Sequence, residues 1–147
     1  MNLFGILDVS GSALLAERQR AEIVTSNLAN AETTHAADGG PYKRVHVVFG
    51  SHQMASHGFQ ATLASFTDRH TEGVRVDRLV EDSTAPIRRF EPGHPDADSE
   101  GYVSYPAINP VEEMVNLMGA ARSYQLNASA VQSTKNMIQA SIDILKG

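Results

Sequence analysis

NPVEEMVNLMGAARSYQLNASAVQSTKNMIQASIDILK, residues 109–146, is the stretch that decides the fold. Its opening Asn-Pro cannot continue a helix backwards, and a proline suits the first turn of a new one. From there Met114, Leu117, Ala121, Tyr124, Ala128, Val131, Lys135, Ile138, Ile142 and Leu145 follow in alternating steps of three and four, and only Lys135 breaks the apolar character. A repeat sustained over several heptads favours a coiled-coil seam over an ordinary surface helix. Ala121 and Ala128 leave room for a partner helix, while Val111, Val115 and Met118 lie off the seam, available to another chain. About 35 helical residues make a rod of roughly 50 Å. A globule of this chain length is only about 40 Å across, so the helix is expected to project from any compact body.

At the other end, Leu7, Leu14, Ala21 and Leu28 recur every seven residues, with Phe4, Ile6, Ile23 and Val24 alongside. Such spacing puts one stripe on one helix face. Ser10 and Gly11 weaken the early part, so the helix is expected to bend there or to begin only after them. Asn30 and the polar run through Gly40 end it. Asn27 and Asn30 stand one turn apart on one face. Asparagine commonly closes helices because it tolerates left-handed geometry and bonds carbonyls locally; amides on a shared face are equally placed to bond a neighbouring chain. Both readings stand.

The middle changes character. Residues 45–49 (VHVVF) and 73–82 (GVRVDRLVED) are β-branched and partly alternating, which reads as strand. PIRRF and GYVSYP flank EPGHPDADSE, a hairpin with a long tip, and the polar stretch between the first two strands reads as loop. The chain thus divides into residues 1–34 (N-terminal helix and asparagine elbow), 35–110 (β-rich module with hairpin) and 111–147 (C-terminal helix). The predicted class is α+β: long terminal helices paired as a coiled coil, with a small β-rich module between them.

Composition removes several functions. A net charge of −5 with scattered basic residues argues against a nucleic-acid binder. With no cysteine, disulfides, thiolate metal sites and cysteine nucleophiles are excluded. No apolar run is long enough to span a membrane. The N-terminus lacks the order of a cleaved secretory signal, because Asp8 interrupts its apolar run and the first basic side chain is Arg18. If the protein leaves the cytoplasm, it takes another route.

Candidate chemistry is sparse. Asp96, Asp98, Glu100 and Gly101 copy the start of a calcium loop, but Ala107 occupies the position that needs a bidentate glutamate. The plain alternative is a solvated hairpin tip in which aspartates favour turns. His94 beside Asp96 and Asp98 has the composition of a general-base pair, although no nucleophile elbow accompanies it. The remaining histidines form no zinc-protease motif, and no phosphate-cradling glycine loop occurs. No metal or cofactor is expected.

SNLANAETT, residues 26–34, resembles the N-terminal signature of bacterial flagellar basal-body rod proteins, an S-N-x-A-N-x-x-T-x pattern. GGPYKR (39–44), EPGHPDADSEGYV (91–103) and NPVEEMVNLMGAARSYQLN (109–127) are similar to segments of the family's proximal-rod members. The resemblance covers most of the chain outside about residues 51–72. Ala107 and Leu126 depart from it, where the family pattern has asparagine and alanine. The resemblance implies a structural subunit rather than a catalyst: exported unfolded through the flagellar type III apparatus without a cleaved signal, and assembled in the periplasm into a helical hollow drive shaft. Its partners would be copies of itself, other rod proteins and the rod-base/MS-ring adaptor. On this reading Leu7, Leu14, Leu28, Asn27, Asn30, Met114, Leu117, Ala121, Tyr124, Ala128, Val131, Ile138 and Ile142 pack the helices in the assembly. Gly39, Gly40, Pro41 and Tyr42 form an elbow between layers, and His94, Asp96 and Tyr102 contact neighbours from the hairpin. The alternatives are a periplasmic hydrolase using His94 with Asp96 or Asp98, and a soluble coiled-coil adaptor.

Overall fold

The computed structural model describes residues 3–37, 39–53 and 72–146. Helix α1 (Leu3–Ala29) is followed by strands β1 (Val45–Gln53), β2 (Glu72–Glu81), β3 (Ile87–Phe90) and β4 (Tyr102–Tyr105), and then by helix α2 (Pro110–Lys146). Strand β1 pairs with β2, and β3 pairs with β4 in a separate antiparallel hairpin. A helix–sheet–helix order is therefore present, as expected. Most of the ambiguous stretch between β1 and β2 lies outside the described residues.

Helix α1 shows no break at Ser10 and Gly11. An interior glycine costs only ~1 kcal/mol against alanine, which packing readily overrides, and here Ser10 is only 6% exposed. Two residues on, Ser12 Oγ donates to Val9 O at 2.7 Å and accepts the Val74 backbone N–H at 3.0 Å, tying the helix to β2. Strand β1 runs four residues beyond the β-branched run that predicted it. Pairing with β2 carries it through Gly50, whose missing Cβ would lie 3.1 Å from Asp77 Cβ.

Helix α2 begins as its sequence dictates. Pro110 takes the first helical position, where no N–H is needed. Asn109 caps it: its Oδ1 accepts the Val111 N–H at 3.0 Å, and its carbonyl accepts Glu113 N–H at 3.1 Å.

The chain forms two compact units. One comprises Met1–Gln19, Phe49–Asp77 and Ala120–Gly147, and among its described residues Ser10, Ala16, Ala120 and Thr134 are buried. The other comprises Arg20–Val48 and Arg78–Gly119. Its core holds Val24, Asn27, Ala31, Val103, Tyr105, Ile108 and Glu113.

Burial on α2 follows the apolar seam only in part, with Leu117, Val131 and Ile138 half-buried. Glu113, Ala120 and Thr134 are at most 2% exposed, and with half-buried Asn127 they mark a line of seven-residue steps. That line lies one residue, about 100° around the helix, from the line of Met114, Ala121, Ala128, Lys135 and Ile142, all of which are exposed. Large apolar residues outside include Val111, Met114, Val115, Met118, Leu126, Ile144 and Leu145. The most deeply covered positions are small or polar, with Leu117, Val131 and Ile138 half-buried beside them, while the large residues on the open face are apolar. A monomer that buried its own core would show the reverse.

Candidate functional site

The most organised polar cluster sits where the end of α1, the start of β1 and the start of α2 meet within the second unit. Asn27, 1% exposed, is at its centre. Its Oδ1 accepts the Val45 N–H at 2.9 Å and its Nδ2 donates to the Val45 carbonyl at 2.8 Å. Because a backbone N–H only donates and a carbonyl only accepts, this pair fixes which way the amide points. The remaining valences are also met: Tyr42 OH donates to Oδ1 at 3.1 Å, and Nδ2 donates to Glu113 Oε2 at 3.2 Å. All four hydrogen-bonding places of the side chain are occupied, as burial at this depth requires.

Glu113 is equally covered, at 1% exposed. Its Oε1 accepts from Arg44 Nη2 and, at 3.3 Å, from Asn116 Nδ2. Arg44 Nη2 also reaches Glu112 Oε1 at 3.1 Å. Burial works against the charge on Arg44, but the hydrogen bond to Glu112 and the attraction of Glu113 outweigh it and raise the pKa. Arg44 Nε is buried with no hydrogen-bond partner among the described residues. Glu112 and Glu113 lie in the first turn of α2, where the helix dipole also favours negative charge.

Asn30 does different work from Asn27. Its Nδ2 donates to Ser26 O at 2.9 Å and its Oδ1 accepts from Thr33 Oγ1 at 3.1 Å, closing the end of α1 locally. Beyond it, Tyr42 N–H donates to Thr33 O at 3.0 Å and Ala36 N–H to Gly40 O at 2.7 Å, so the segment folds back on itself. Gly39 takes φ of +84°, where a side chain would be strained. Pro41 and Tyr42 then deliver Arg44 and Val45 to the cluster.

A bond from Thr34 Oγ1 to Asp96 Oδ2 at 2.7 Å joins the hairpin to this segment. Asp98 organises the tip: its Oδ1 accepts the N–H groups of Glu100 and Tyr102, both at 2.9 Å, and its Oδ2 pairs with Arg88. These backbone hydrogen bonds, with Arg88, lower its pKa. Gly101 turns the chain at φ +81°. Arg88 stacks over Tyr102 at 4.7 Å and Arg89 over Tyr105 at 4.6 Å, while Phe90 meets Tyr102 edge-on at 5.3 Å. Tyr105 OH donates to Glu91 Oε2 at 2.9 Å, which raises the tyrosine's pKa.

Among the described residues, neither the His94–Asp96 base pair nor the calcium loop is assembled. His94 Nδ1 accepts the Asp96 backbone N–H at 3.1 Å, and the Asp96 carboxylate stands 4.0 Å away, too far for a hydrogen-bonded base pair. Among the described residues no cluster of three or more histidines, aspartates or glutamates is gathered around a metal position. A cavity of about 230 Å³ is lined by Pro41, Tyr42, Arg44, Asp82, Pro86 and Pro106, and His94 is not among its walls.

The sequence-predicted residues fall into distinct environments. Leu7, Leu14, Leu28, Leu117, Val131 and Ile138 are half-buried, whereas Met114, Ala121, Tyr124, Ala128 and Ile142 are exposed. Gly40, Pro41, Tyr42 and His94 are half-buried; Gly39, Asp96 and Tyr102 are exposed. Asn27 lies within its own chain, with its amide fully engaged there. Sequence reasoning did not single out Glu113, Arg44 or the Thr34–Asp96 bond. Paired glutamates after Asn-Pro signal a helix start, but nothing in their identity says which one faces inward.

Comparison with known proteins covers both ends of the cluster. The family profile described as "Flagella basal body rod protein" matches residues 7–36, which include Asn27 and Asn30. A second, "Flagellar basal body rod FlgEFG protein C-terminal", matches residues 99–144, which include Glu113. The chain is similar to the flagellar basal-body rod protein FlgC of Borreliella burgdorferi, 33% identical over the full length of both. It is 37% identical to the FlgC of Bacillus subtilis over 99% of this chain and all of that protein. It is 40% identical to that of Salmonella typhimurium over 94% of each.

Proposed function

Because the chain belongs to the family of flagellar basal-body rod proteins of the FlgC type, we propose that its open apolar helix face is the surface by which it packs into a helical, hollow rod that transmits torque. The chain is a structural subunit of the flagellar basal body and not an enzyme. The observation that carries the packing role is the inverted burial of α2: a covered line of Glu113, Ala120 and Thr134 beside an exposed line that includes Met114 and Ile142. In this reading the terminal helices complete a coiled-coil-like inner wall only when neighbouring subunits cover that face, and open, head-to-tail contacts build a tube rather than a closed ring. The hairpin with His94, Asp96 and Tyr102 meets adjacent subunits.

The Asn27 cluster then serves to hold the chain's change of direction rigid. It joins the end of α1 to β1 and α2, so a neighbour pressing on one element loads all three. Export through the flagellar type III apparatus, assembly in the periplasm, and contacts with other rod proteins and the rod-base adaptor complete the reading. The test is a chain carrying Asn27→Leu and Asn30→Leu, supplied to a flagellated host that lacks its own copy. Secreted chain without rods, and non-motile cells, are expected. Normal swimming would contradict the proposal.

A further inference from the structure

Every residue of β3 is exposed, Phe90 at 64%, and among the described residues the strand pairs only with β4. Its other edge is therefore open, and the register tells which backbone groups line it. Ile87 stands opposite Tyr105 and Arg89 opposite Val103, and just past the strand Glu91 N–H donates to Gly101 O at 2.9 Å. Directly opposed residues in an antiparallel ladder alternate between pairs that exchange hydrogen bonds and pairs that do not. Ile87, Arg89 and Glu91 thus bond to the β4 side, while the N–H and C=O groups of Arg88 and Phe90 point away from it. Tyr102, opposite Phe90, has the matching phase: its N–H donates to Asp98 Oδ1 and its carbonyl accepts the Asp98 N–H. Among the described residues nothing bonds the backbone of Arg88 or Phe90.

Such an edge is a template for another strand, and β3 of a second copy carries the same open groups. Prolines limit how the two can meet. Pro86 stands in the outward phase with no N–H to offer, and Pro92 opens the turn that ends the strand. Antiparallel pairing that uses every open group sets Arg88 against Phe90 of the second copy, and Phe90 against its Arg88. Shifting the register brings Pro86 or Pro92 into the ladder and loses bonds. In the full pairing Arg89 lies directly opposite its own counterpart, with Cβ atoms about 4.5–5.5 Å apart on one face. Arg88 is neutralised by Asp98 and Glu100. Arg89 has no carboxylate partner among the described residues and is held over the Tyr105 ring at 4.6 Å.

We infer that Arg89 is the barrier that stops free chains from joining β3 edge to β3 edge, by setting two unpaired guanidinium groups against each other in the register that the prolines leave. Like charges directly opposite one another destabilise a strand pair. The barrier belongs to the free chain and is independent of what the chain builds.

The open amides themselves report on it. The full chain is purified as wild type, Arg89→Lys and Arg89→Val, and backbone hydrogen exchange is followed by NMR over a wide range of concentration, with sedimentation in parallel. The Arg88 and Phe90 amides are expected to exchange fast in the wild type and in Arg89→Lys at every concentration. In Arg89→Val they slow at least about tenfold as the concentration rises, and dimers sediment. The Glu91 and Val103 amides, bonded within the hairpin, stay protected throughout. Should the valine chain lose that protection, Arg89→Gln, which drops the charge and keeps most of the stem, carries the same prediction. Adding Arg88→Pro to Arg89→Val removes one outward N–H without touching the ladder to β4, and should restore the monomer. Fast exchange of both amides in the uncharged variants at every concentration, or equal slowing in Arg89→Lys, would overturn the barrier. So would dimers that survive Arg88→Pro, or slow exchange of these amides in dilute wild-type chain, since the first places the contact elsewhere and the second closes the edge.

Discussion

Asn27 and Val45 bond to one another as residues on adjacent strands do. Val45 N–H donates to Asn27 Oδ1 at 2.9 Å, and Asn27 Nδ2 returns a bond to the Val45 carbonyl at 2.8 Å. A helix thereby contributes the equivalent of one backbone unit to the start of β1, and only an amide side chain presents a donor and an acceptor side by side in this way.

Replacement of Asn27 tests that pairing. Leucine would strand the Val45 N–H and carbonyl and leave Tyr42 and Glu113 short of a partner, each buried unsatisfied group costing about 1–3 kcal/mol. A loss of roughly 3–5 kcal/mol is expected in urea denaturation of Asn27→Leu. Asn27→Asp keeps the shape but sets an acceptor against the Val45 carbonyl and a charge against Glu113, and it should be at least as damaging. Protection of the Val45 amide from hydrogen exchange should fall in both.

The Arg44–Glu113 pair should behave as a buried ion pair. Removing one partner by Glu113→Ala leaves the guanidinium with only the exposed Glu112 and strips Asn27 Nδ2 of an acceptor, and it is expected to cost ~3–5 kcal/mol. Arg44→Met in the same chain should recover part of that loss. A double-mutant cycle measures the coupling, and additive effects would show that the pair is not a unit.

Asp82 gives a pH signature. Bonds from the Thr84 hydroxyl and N–H, at 2.6 and 2.9 Å, and from His46 at 3.3 Å hold its pKa at about 2. Since the folded value lies below the unfolded one of 3.8, its contribution to stability is present above pH ~3.8 and is lost as the pH falls through about 2. Carboxyl NMR should show this low midpoint in the native chain. Thr84→Ala, which removes the hydroxyl bond, should move it upward.

At the hairpin tip, Gly101→Ala meets two obstacles. The residue sits at φ +81°, and a Cβ there would lie 3.0 Å from the Phe90 ring and 3.2 Å from Pro92 Cβ. A cost of about 1–3 kcal/mol is expected, read as lost protection at β3 and β4, while Gly93→Ala, with open space around it, should be near neutral.

Some of this was legible in the residues and some was not. The two long helices, their caps and the hairpin follow from periodicity, from Asn109-Pro110 and from turn residues, because those features act locally. The inward face of α2 did not follow. Counting apolar heptads finds where large side chains line up, yet here Met114, Tyr124, Ile142 and Leu145 of that line are exposed, Leu117, Val131 and Ile138 are half-buried, and Glu113, Ala120 and Thr134 face in. Small and polar residues permit close packing and specific bonding within one chain, while greasy ones await a neighbour. The Asn27 site was visible as a position and invisible as a bond, since its partner is the backbone of Val45, which any residue but proline presents equally.

The central claim is that the open face of α2 is covered in the rod. Methionine oxidation measures it directly, because Met114 and Met118 are 51% and 70% exposed in the free chain and sulfoxide formation follows exposure. Purified subunit and isolated basal bodies are to be treated with the same dose of peroxide, and both methionines followed by mass spectrometry. The account predicts rapid oxidation in the free subunit and at least about tenfold slower oxidation in the rod. Equal rates in the two would mean that this face remains open after assembly, and would contradict it.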